Sequence, residues 1–181
     1  MIWWRRPPLE GTIDRLYGTI VAQARLPFFY TDYGVPDTVD GRFEMIVLHQ
    51  ALVVRRAAQE AATAPLGPAL FDRLCRDLDH NLREMGVGDL TVPKRMRAYG
   101  EAYFGRARAY DSALGGGDDN ACAAALARNV LGLAAPTPDA RRLARYVAQA
   151  ARELDHLGAR ELAGGLLHFP DPAKIAVAAA A

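Results

Sequence analysis

Along most of the chain, apolar residues recur at spacings of three and four, which is the period of one face of an α-helix. The pattern is clearest between residues 68 and 85, where the charged side chains fall mostly outside a single apolar stripe. β-Branched residues are sparse, and alanine, the strongest helix former, is abundant. The sequence therefore predicts an all-α protein, a single compact bundle of about six helices.

Capping and turn residues set the expected limits of these helices. Thr12 is placed to cap the first helix, and Asp37 or Thr38 the second, because a short side-chain oxygen can accept from the free N–H groups of a first turn. Gly86 is suited to end the third helix, and Pro93 to stand in the first turn of the fourth. The helices are expected at about residues 12–24, 37–59, 68–85, 93–114, 119–132 and 138–167, with a break of the last at Gly158 as an alternative.

The segment RLPFFYTDYGVPD, residues 25–37, interrupts the helical pattern. Pro27, Gly34 and Pro36 make it too irregular for a helix, so an irregular aromatic loop is expected between the first two helices. Its four aromatic side chains would be costly to expose together. The loop is therefore expected to pack on the body of the protein.

The composition is that of a folded protein, with 51% hydrophobic and 24% charged residues. The net charge of +1 argues against a generally basic nucleic-acid binder. No apolar run approaches the roughly 18 residues that cross a bilayer. Cys75 and Cys122 lie far apart in helix-like patterns, which favours reduced, buried thiols in a cytoplasm over a disulfide. The first residues, MIWWRRPP, are interpreted as a packed or disordered tail, with an interfacial anchor as the alternative.

One helical face carries Asp77, His80 and Glu84, at positions i, i+3 and i+7. A carboxylate and an imidazole one turn apart could bind zinc, or act as acid and base in an enzyme. Arginines are interleaved with this cluster, so a solvated face of salt bridges explains it as well and is favoured. The sequence has no phosphate-binding glycine loop, dinucleotide fingerprint or nucleophile elbow, and neither a cofactor nor a small-molecule ligand is expected.

Several polar residues are embedded in the apolar second helix. His49 is surrounded by aliphatic residues and is interpreted as a buried histidine whose ring nitrogen binds an oxygen. Arg42 lies at the front of the helix, where the helix dipole disfavours positive charge, so it is expected to pair with a carboxylate of the fold or of a partner. The candidate partner-binding residues of this helix are Arg42, Phe43, Glu44 and His49.

The fourth helix holds a basic and aromatic stretch, PKRMRAYGEAYFGRARAY. Helical spacing turns four of its side chains towards the core, namely Met96, Tyr99, Tyr103 and Phe104. The positive side chains are left for the surface, where they could attract an acidic protein or a lipid surface, although no specific nucleic acid is expected. These further partner-binding candidates are Lys94, Arg95, Arg97, Arg106 and Arg108.

Three blocks of the sequence, taken in order, resemble blocks of a known family. They are VPDTVDGRFEMIVLH at residues 35–49, REMGVGDLTVPKRM at 83–96 and GEAYFGR at 100–106. The family is that of the ubiquinol–cytochrome c chaperones. The resemblance covers about Leu16 to Leu114, and the sequence beyond Gly115 shows no comparable match.

The resemblance implies a non-enzymatic, all-helical assembly factor for the respiratory cytochrome bc1 complex, which binds cytochrome b or another subunit of that complex. The sequence looks bacterial, so the protein is expected in the cytoplasm, with peripheral contact to the inner-membrane surface as an option. A metal protein or enzyme built on Asp77, His80 and Glu84 is the competing hypothesis. The expected organisation is an N-terminal tail at 1–11, a chaperone-like helical core at 12–114, a C-terminal helical part of the same domain at 115–170 and a flexible tail at 171–181.

Overall fold

The computed structural model describes residues 9–175, and all regular elements in this range are helical. The prediction of an all-α fold is confirmed. Six of the elements are long and follow the predicted helices in order. The elements are α1 (Leu9–Ala24), α2 (Pro27–Thr31), α3 (Val39–Ala57), α4 (Leu66–Glu84), α5 (Val92–Gly115), α6 (Asp119–Asn129), α7 (Pro138–Asp155), α8 (Ala159–Ala163) and a 3-10 turn (Pro172–Lys174).

The helix α3 lies at the centre of the bundle. Fourteen of its nineteen residues are buried, and it packs against α1, α4, α5 and α7. Met45, Leu48 and Leu52 have almost no exposed surface. Because burial of a large aliphatic side chain contributes about 1.5–3 kcal/mol, this helix is a major source of the stability of the fold. Its central position also explains why the sequence of α3 is apolar on nearly every side.

The start of α3 is fixed by a side-chain cap and a tight turn. Thr38 Oγ1 accepts a hydrogen bond from the backbone N–H of Gly41 at 3.1 Å, as the sequence predicted. A Cβ atom on Gly41 would lie 2.0 Å from the carbonyl oxygen of Pro36, so only glycine fits at this position. A second predicted glycine, Gly86, ends α4 with a φ of +75°, the left-handed conformation that glycine adopts without strain.

The first and the last predicted helices differ in their limits from those of the structure. The first helix begins at Leu9 rather than at Thr12. Thr12 does not cap this helix, because its side chain is buried and its hydroxyl group donates to the carbonyl oxygen of Ala163 at 3.3 Å. The last predicted helix is divided at the glycine proposed as its breaking point, since Gly158 stands at the N-terminus of α8.

The aromatic segment contains a short helix that the sequence did not predict. Five residues, beginning at Pro27, form α2, because proline presets the backbone of a first helical turn. The expected packing is confirmed, since Phe29 and Tyr33 are fully buried. The Tyr33 hydroxyl group donates to the carbonyl oxygen of Pro172 at 2.8 Å. The segment is therefore an integral part of the core.

A 3-10 turn, Pro172–Lys174, lies at the start of the segment 171–181 for which a flexible tail was expected. The Asp171 side chain accepts from the backbone N–H of Ala173 at 2.9 Å and caps the 3-10 turn. The side chain of Ile175 is buried. The rest of the predicted C-terminal tail, 176–181, and the predicted N-terminal tail and anchor up to residue 8 lie outside the described residues.

Both cysteines are free thiols. Cys122 is buried, and burial raises the pKa of its thiol to about 11, so that it stays protonated at neutral pH. Cys75 is partly buried. Among residues 9–175, none of the helices combines the length and the apolar composition that a membrane span requires.

Candidate partner-binding cleft

A cleft of about 420 Å³ opens between the first turns of α3, one face of α5 and the segment that follows α6. The α3 wall includes the capped turn at Thr38 and Gly41. The side chains from α5 share one face because they are spaced by about one helical turn. They are Ala98, Tyr99, Ala102 and Arg106.

A charged pair crosses the cleft from α5 to α3. The Arg106 guanidinium donates through Nε to Glu44 Oε2. The Glu44 side chain is only 9% exposed and that of Arg106 27%. Burial raises the pKa of the Glu44 carboxyl above its usual value, and the hydrogen bond from Arg106 opposes that rise. The guanidinium therefore compensates a carboxylate that would otherwise be costly to bury.

The floor of the cleft is aromatic and aliphatic. The rings of Phe43 and Tyr99 are tilted against each other with centroids 4.7 Å apart. Phe43 and Val130 are buried, whereas Tyr99 is half-buried. Such a floor beside charged groups is typical of protein interfaces, which combine aromatic residues with a polar rim.

Asp40 extends the charged part of the cleft towards the solvent. It lies one helical turn before Glu44, so both side chains share one side of α3. Asp40 is exposed and forms no ion pair with any residue between 9 and 175. By formal charge, the two carboxylates face one guanidinium in the cleft lining, which gives a net charge of −1.

Arg42 is held beside the cleft rather than in it. Its Nε donates to Asp37 Oδ1 at 2.7 Å, and both side chains are more than half exposed. The hydrogen bond from Arg42 lowers the pKa of the Asp37 carboxyl. The predicted carboxylate pair of Arg42 is thus confirmed, and the partner belongs to the fold.

His49 is fully buried and takes part in a closed hydrogen-bonded network. Its Nδ1 lies 2.7 Å from the carbonyl oxygen of Met45, which can only accept, so Nδ1 carries the proton and donates. Its Nε2, 2.8 Å from the Tyr146 hydroxyl group, then accepts from it, while Gln23 Nε2 donates to the same hydroxyl at 3.0 Å. Burial lowers the pKa of His49 to about 4, so the ring is neutral.

The environment of His49 confirms the predicted buried, hydrogen-bonded histidine. It also corrects the choice of His49 as a partner-binding residue, because the side chain has no exposed surface. Phe43 and Glu44 are buried as well, but both line the cleft and can be reached from it.

The basic residues of α5 fall into three arrangements. Lys94, Arg95 and Arg108 are exposed and form no ion pair within the described part of the chain. Arg97 is exposed and pairs with Glu101 at 2.9 Å. Arg106 was expected to be a free charge at the surface. This expectation is wrong, because its side chain turns into the cleft and pairs with Glu44.

The sequence predicted that Phe104 faces the core, and this prediction is wrong. Its side chain is 55% exposed and lies against Phe71, with ring centroids 4.9 Å apart. Tyr103 is buried, and the next residue along an α-helix points about 100° away from it. Only one of these two neighbours could therefore face the core.

The acidic and histidine cluster on α4 is engaged in surface contacts. Asp77 accepts from the Tyr17 hydroxyl group at 3.0 Å, and its other carboxylate oxygen lies 3.6 Å from Arg73. His80 Nε2 is 3.4 Å from Glu84 at an exposed position. Within residues 9–175, no group of three or more histidine, cysteine or acidic side chains is placed to hold a metal ion.

Some residues of the cleft were not selected from the sequence. Asp40 could have been found, because it lies four residues before Glu44 in a helix. Asn129, Val130 and Gly132 gave no local signal, because the end of α6 reaches the cleft only through the packing of α6 on α5.

The comparisons with known proteins agree with this architecture. The model of the family described as Ubiquinol-cytochrome C chaperone matches residues 31–169. The crystal structure of the Cbp3 homolog from Brucella abortus is 39% identical, covers 93% of both chains and superposes with a TM-score of 0.84. No curated protein matches the chain.

The chain therefore belongs to the ubiquinol–cytochrome c chaperone family. The resemblance inferred from the sequence is confirmed. The match begins at residue 31 rather than at Leu16, and it extends well beyond Gly115, where the sequence had shown none, so that it includes α6, α7 and α8. The segment after α6 that lines the cleft lies within the matched range.

Proposed function

We propose that this protein is a non-enzymatic assembly chaperone of the cytochrome bc1 complex, which binds cytochrome b or its assembly intermediates. The observation that carries the proposal is the family match over residues 31–169, with its likeness to the Cbp3 homolog. The cleft between α3, α5 and α6 is the proposed contact site for the client.

The chemistry of the cleft suits a client that is partly apolar and partly polar. Phe43 and Tyr99 offer an aromatic surface, on which an apolar segment can be desolvated. The pair of Glu44 and Arg106 and the nearby Asp40 can bind polar groups of the same segment. An assembly factor has to hold an unfinished subunit in this way without changing it chemically.

The exposed basic residues of α5 support a place for this protein near the membrane into which the client inserts. Lys94, Arg95 and Arg108 are exposed, and anionic lipids attract a basic residue near their surface by about 1 kcal/mol. In a bacterial cell, we place the protein in the cytoplasm at the face of the inner membrane.

The identity of the proposed client can be tested by capturing the tagged protein from the native membrane fraction and identifying the proteins bound to it. We expect cytochrome b to be enriched relative to a membrane protein of similar abundance. Deletion of the gene should lower assembled bc1 complex and cytochrome b haem absorbance while the cytochrome b transcript stays constant. Normal levels of assembled complex during growth that depends on bc1 would contradict the proposal.

A further inference from the structure

We infer that the cleft takes up a basic side chain, arginine or lysine, which protrudes from the bound segment of the client. The identity of that client rests on the proposed function, whereas the preference for a basic side chain follows from the cleft itself. Asp40 and Glu44 provide the carboxylates, and Tyr99 provides an aromatic wall.

Two carboxylates of α3 have acceptor positions that the fold leaves unused. Glu44 binds Arg106 through Oε2, and its Oε1 accepts no hydrogen bond from a residue between 9 and 175. Asp40 has neither a hydrogen bond nor an ion pair from its side chain in the same range. Because the two residues are one turn apart on α3, one incoming donor group can contact both.

The charge of the cleft also favours a cation over an anion. Its two carboxylates are opposed by a single guanidinium, that of Arg106, which already donates to Glu44. The positive end of the α3 dipole offsets part of the charge of Asp40, but an anionic group would still approach a carboxylate that has no ion pair within residues 9–175. A basic group would instead neutralise the remaining charge and form charge-assisted hydrogen bonds.

The remaining walls fit the rest of a long basic side chain. Tyr99 lines the cleft, and the face of an aromatic ring attracts a guanidinium or ammonium group. Ala98 and Ala102 lie on the same face of α5 and leave room for the methylene stem. The cleft therefore offers apolar contact for the stem and carboxylates for the charged end.

A membrane protein carries basic side chains on its cytoplasmic side, which is the side that a cytoplasmic chaperone can contact. Cytoplasmic segments next to transmembrane helices carry an excess of lysine and arginine. These segments stay on the cytoplasmic side of the membrane after insertion. A cleft with a net negative charge is complementary to them.

Two short synthetic peptides test the inference on the full-length protein. Both are leucine- and alanine-rich, and one carries arginine where the other carries citrulline, a neutral side chain of nearly the same shape. We expect the arginine peptide to bind about tenfold more tightly by fluorescence anisotropy, and the difference should shrink as salt is added.

A pair of variants locates the effect in the cleft. Asp40→Asn should weaken binding of the arginine peptide by about threefold to tenfold. Asp139→Asn is the matched control, because Asp139 is an exposed acid in the first turn of α7, which also begins after a threonine cap. This control should bind the peptide like the wild-type protein.

Equal binding of the two peptides, or binding of neither, overturns the inference without reliance on any variant. An equal loss in Asp40→Asn and Asp139→Asn overturns it too. If the protein captures cytochrome b but does not distinguish the peptides, the inference fails and the proposed function stands. If it distinguishes the peptides but captures no cytochrome b, the proposed function fails and the preference of the cleft stands.

Discussion

Two polar side chains of α3, Glu44 and His49, are buried in different surroundings. The ring of His49 is bound on both nitrogens by groups of the core, Met45 and Tyr146. Glu44 is bound on one oxygen by Arg106 and faces an open cleft. Burial and polarity alone therefore do not distinguish a structural residue from a candidate binding residue.

The difference lies in whether the fold satisfies every polar atom of the side chain. A group whose donors and acceptors are all bound internally stabilises one packing arrangement. A group with an acceptor that faces a cleft can in addition bind a partner. Substitutions at and near the two side chains distinguish these two roles.

Arg106→Glu should have the largest effect, because it places a second carboxylate beside Glu44 and removes the guanidinium that compensates it. We expect the free energy of unfolding to fall by about 2–4 kcal/mol, since breaking a buried pair costs roughly 3–5 kcal/mol and Arg106 retains some exposure. Urea denaturation measures this change.

Arg108→Glu makes the same change of charge at an exposed position two residues along α5. It should alter the free energy of unfolding by no more than about 0.5 kcal/mol. If the two variants are equally stable, the pair of Glu44 and Arg106 does not contribute to the fold.

The closed network around His49 should make the protein sensitive to acid. Burial lowers the pKa of His49 to about 4, whereas an unfolded chain has a value of about 6.5. Between these values only the unfolded state binds the proton, so stability falls as the pH drops from about 6.5 to 4, by up to roughly 3 kcal/mol. Denaturation midpoints at several pH values measure the loss.

His49→Gln serves as the reference, because glutamine does not titrate. Its free energy of unfolding should change less with pH across the same interval, although it is lower at neutral pH. An identical pH dependence in the two proteins would assign the acid sensitivity to other groups.

Tyr146→Phe should cost about 1–3 kcal/mol, because it leaves the buried Nε2 of His49 without its donor. Tyr99→Phe is the matched change in the cleft. The Tyr99 hydroxyl group has no hydrogen-bond partner among residues 9–175, so this variant should be nearly as stable as the wild type. Thermal melting of both proteins makes the comparison, and a larger loss for Tyr99→Phe would reverse our assignment of the two sites.

The smallest effect on stability is expected for Lys94→Glu combined with Arg95→Glu. Both side chains are exposed and form no ion pair within the described chain, so the melting temperature should be nearly unchanged. Binding to vesicles that contain anionic lipid should weaken by at least about tenfold, since each basic residue contributes about 1 kcal/mol. Unchanged binding at low ionic strength would leave these residues as ordinary solvated charge.

Features that depend on local chemistry were predictable from the sequence. The stripe on α4 and the Thr38 cap follow from helical spacing and from a side-chain oxygen near free N–H groups. The interior position of His49 follows from its aliphatic neighbours in a helix. Each of these signals is complete within a few residues of sequence.

Features that depend on distant contacts were not predictable. Glu44 and Arg106 are 62 residues apart, and nothing near either of them specifies the other. The short α2 has little intrinsic helical signal, and it is held by the burial of Phe29 and by contact with the 3-10 turn. The cleft itself exists only where α3, α5 and the end of α6 meet.

The tight turn at Gly41 has a consequence for the thermodynamics of binding. The carbonyl oxygen of Pro36 is packed so closely on this glycine that the α3 wall of the cleft has little room for another conformation. Ordering a flexible backbone costs about 1–2 kcal/mol per residue, and a wall that is already ordered avoids this entropy loss when a client arrives. The chain thus loses that freedom once, during folding, and would not lose it again on binding the proposed client.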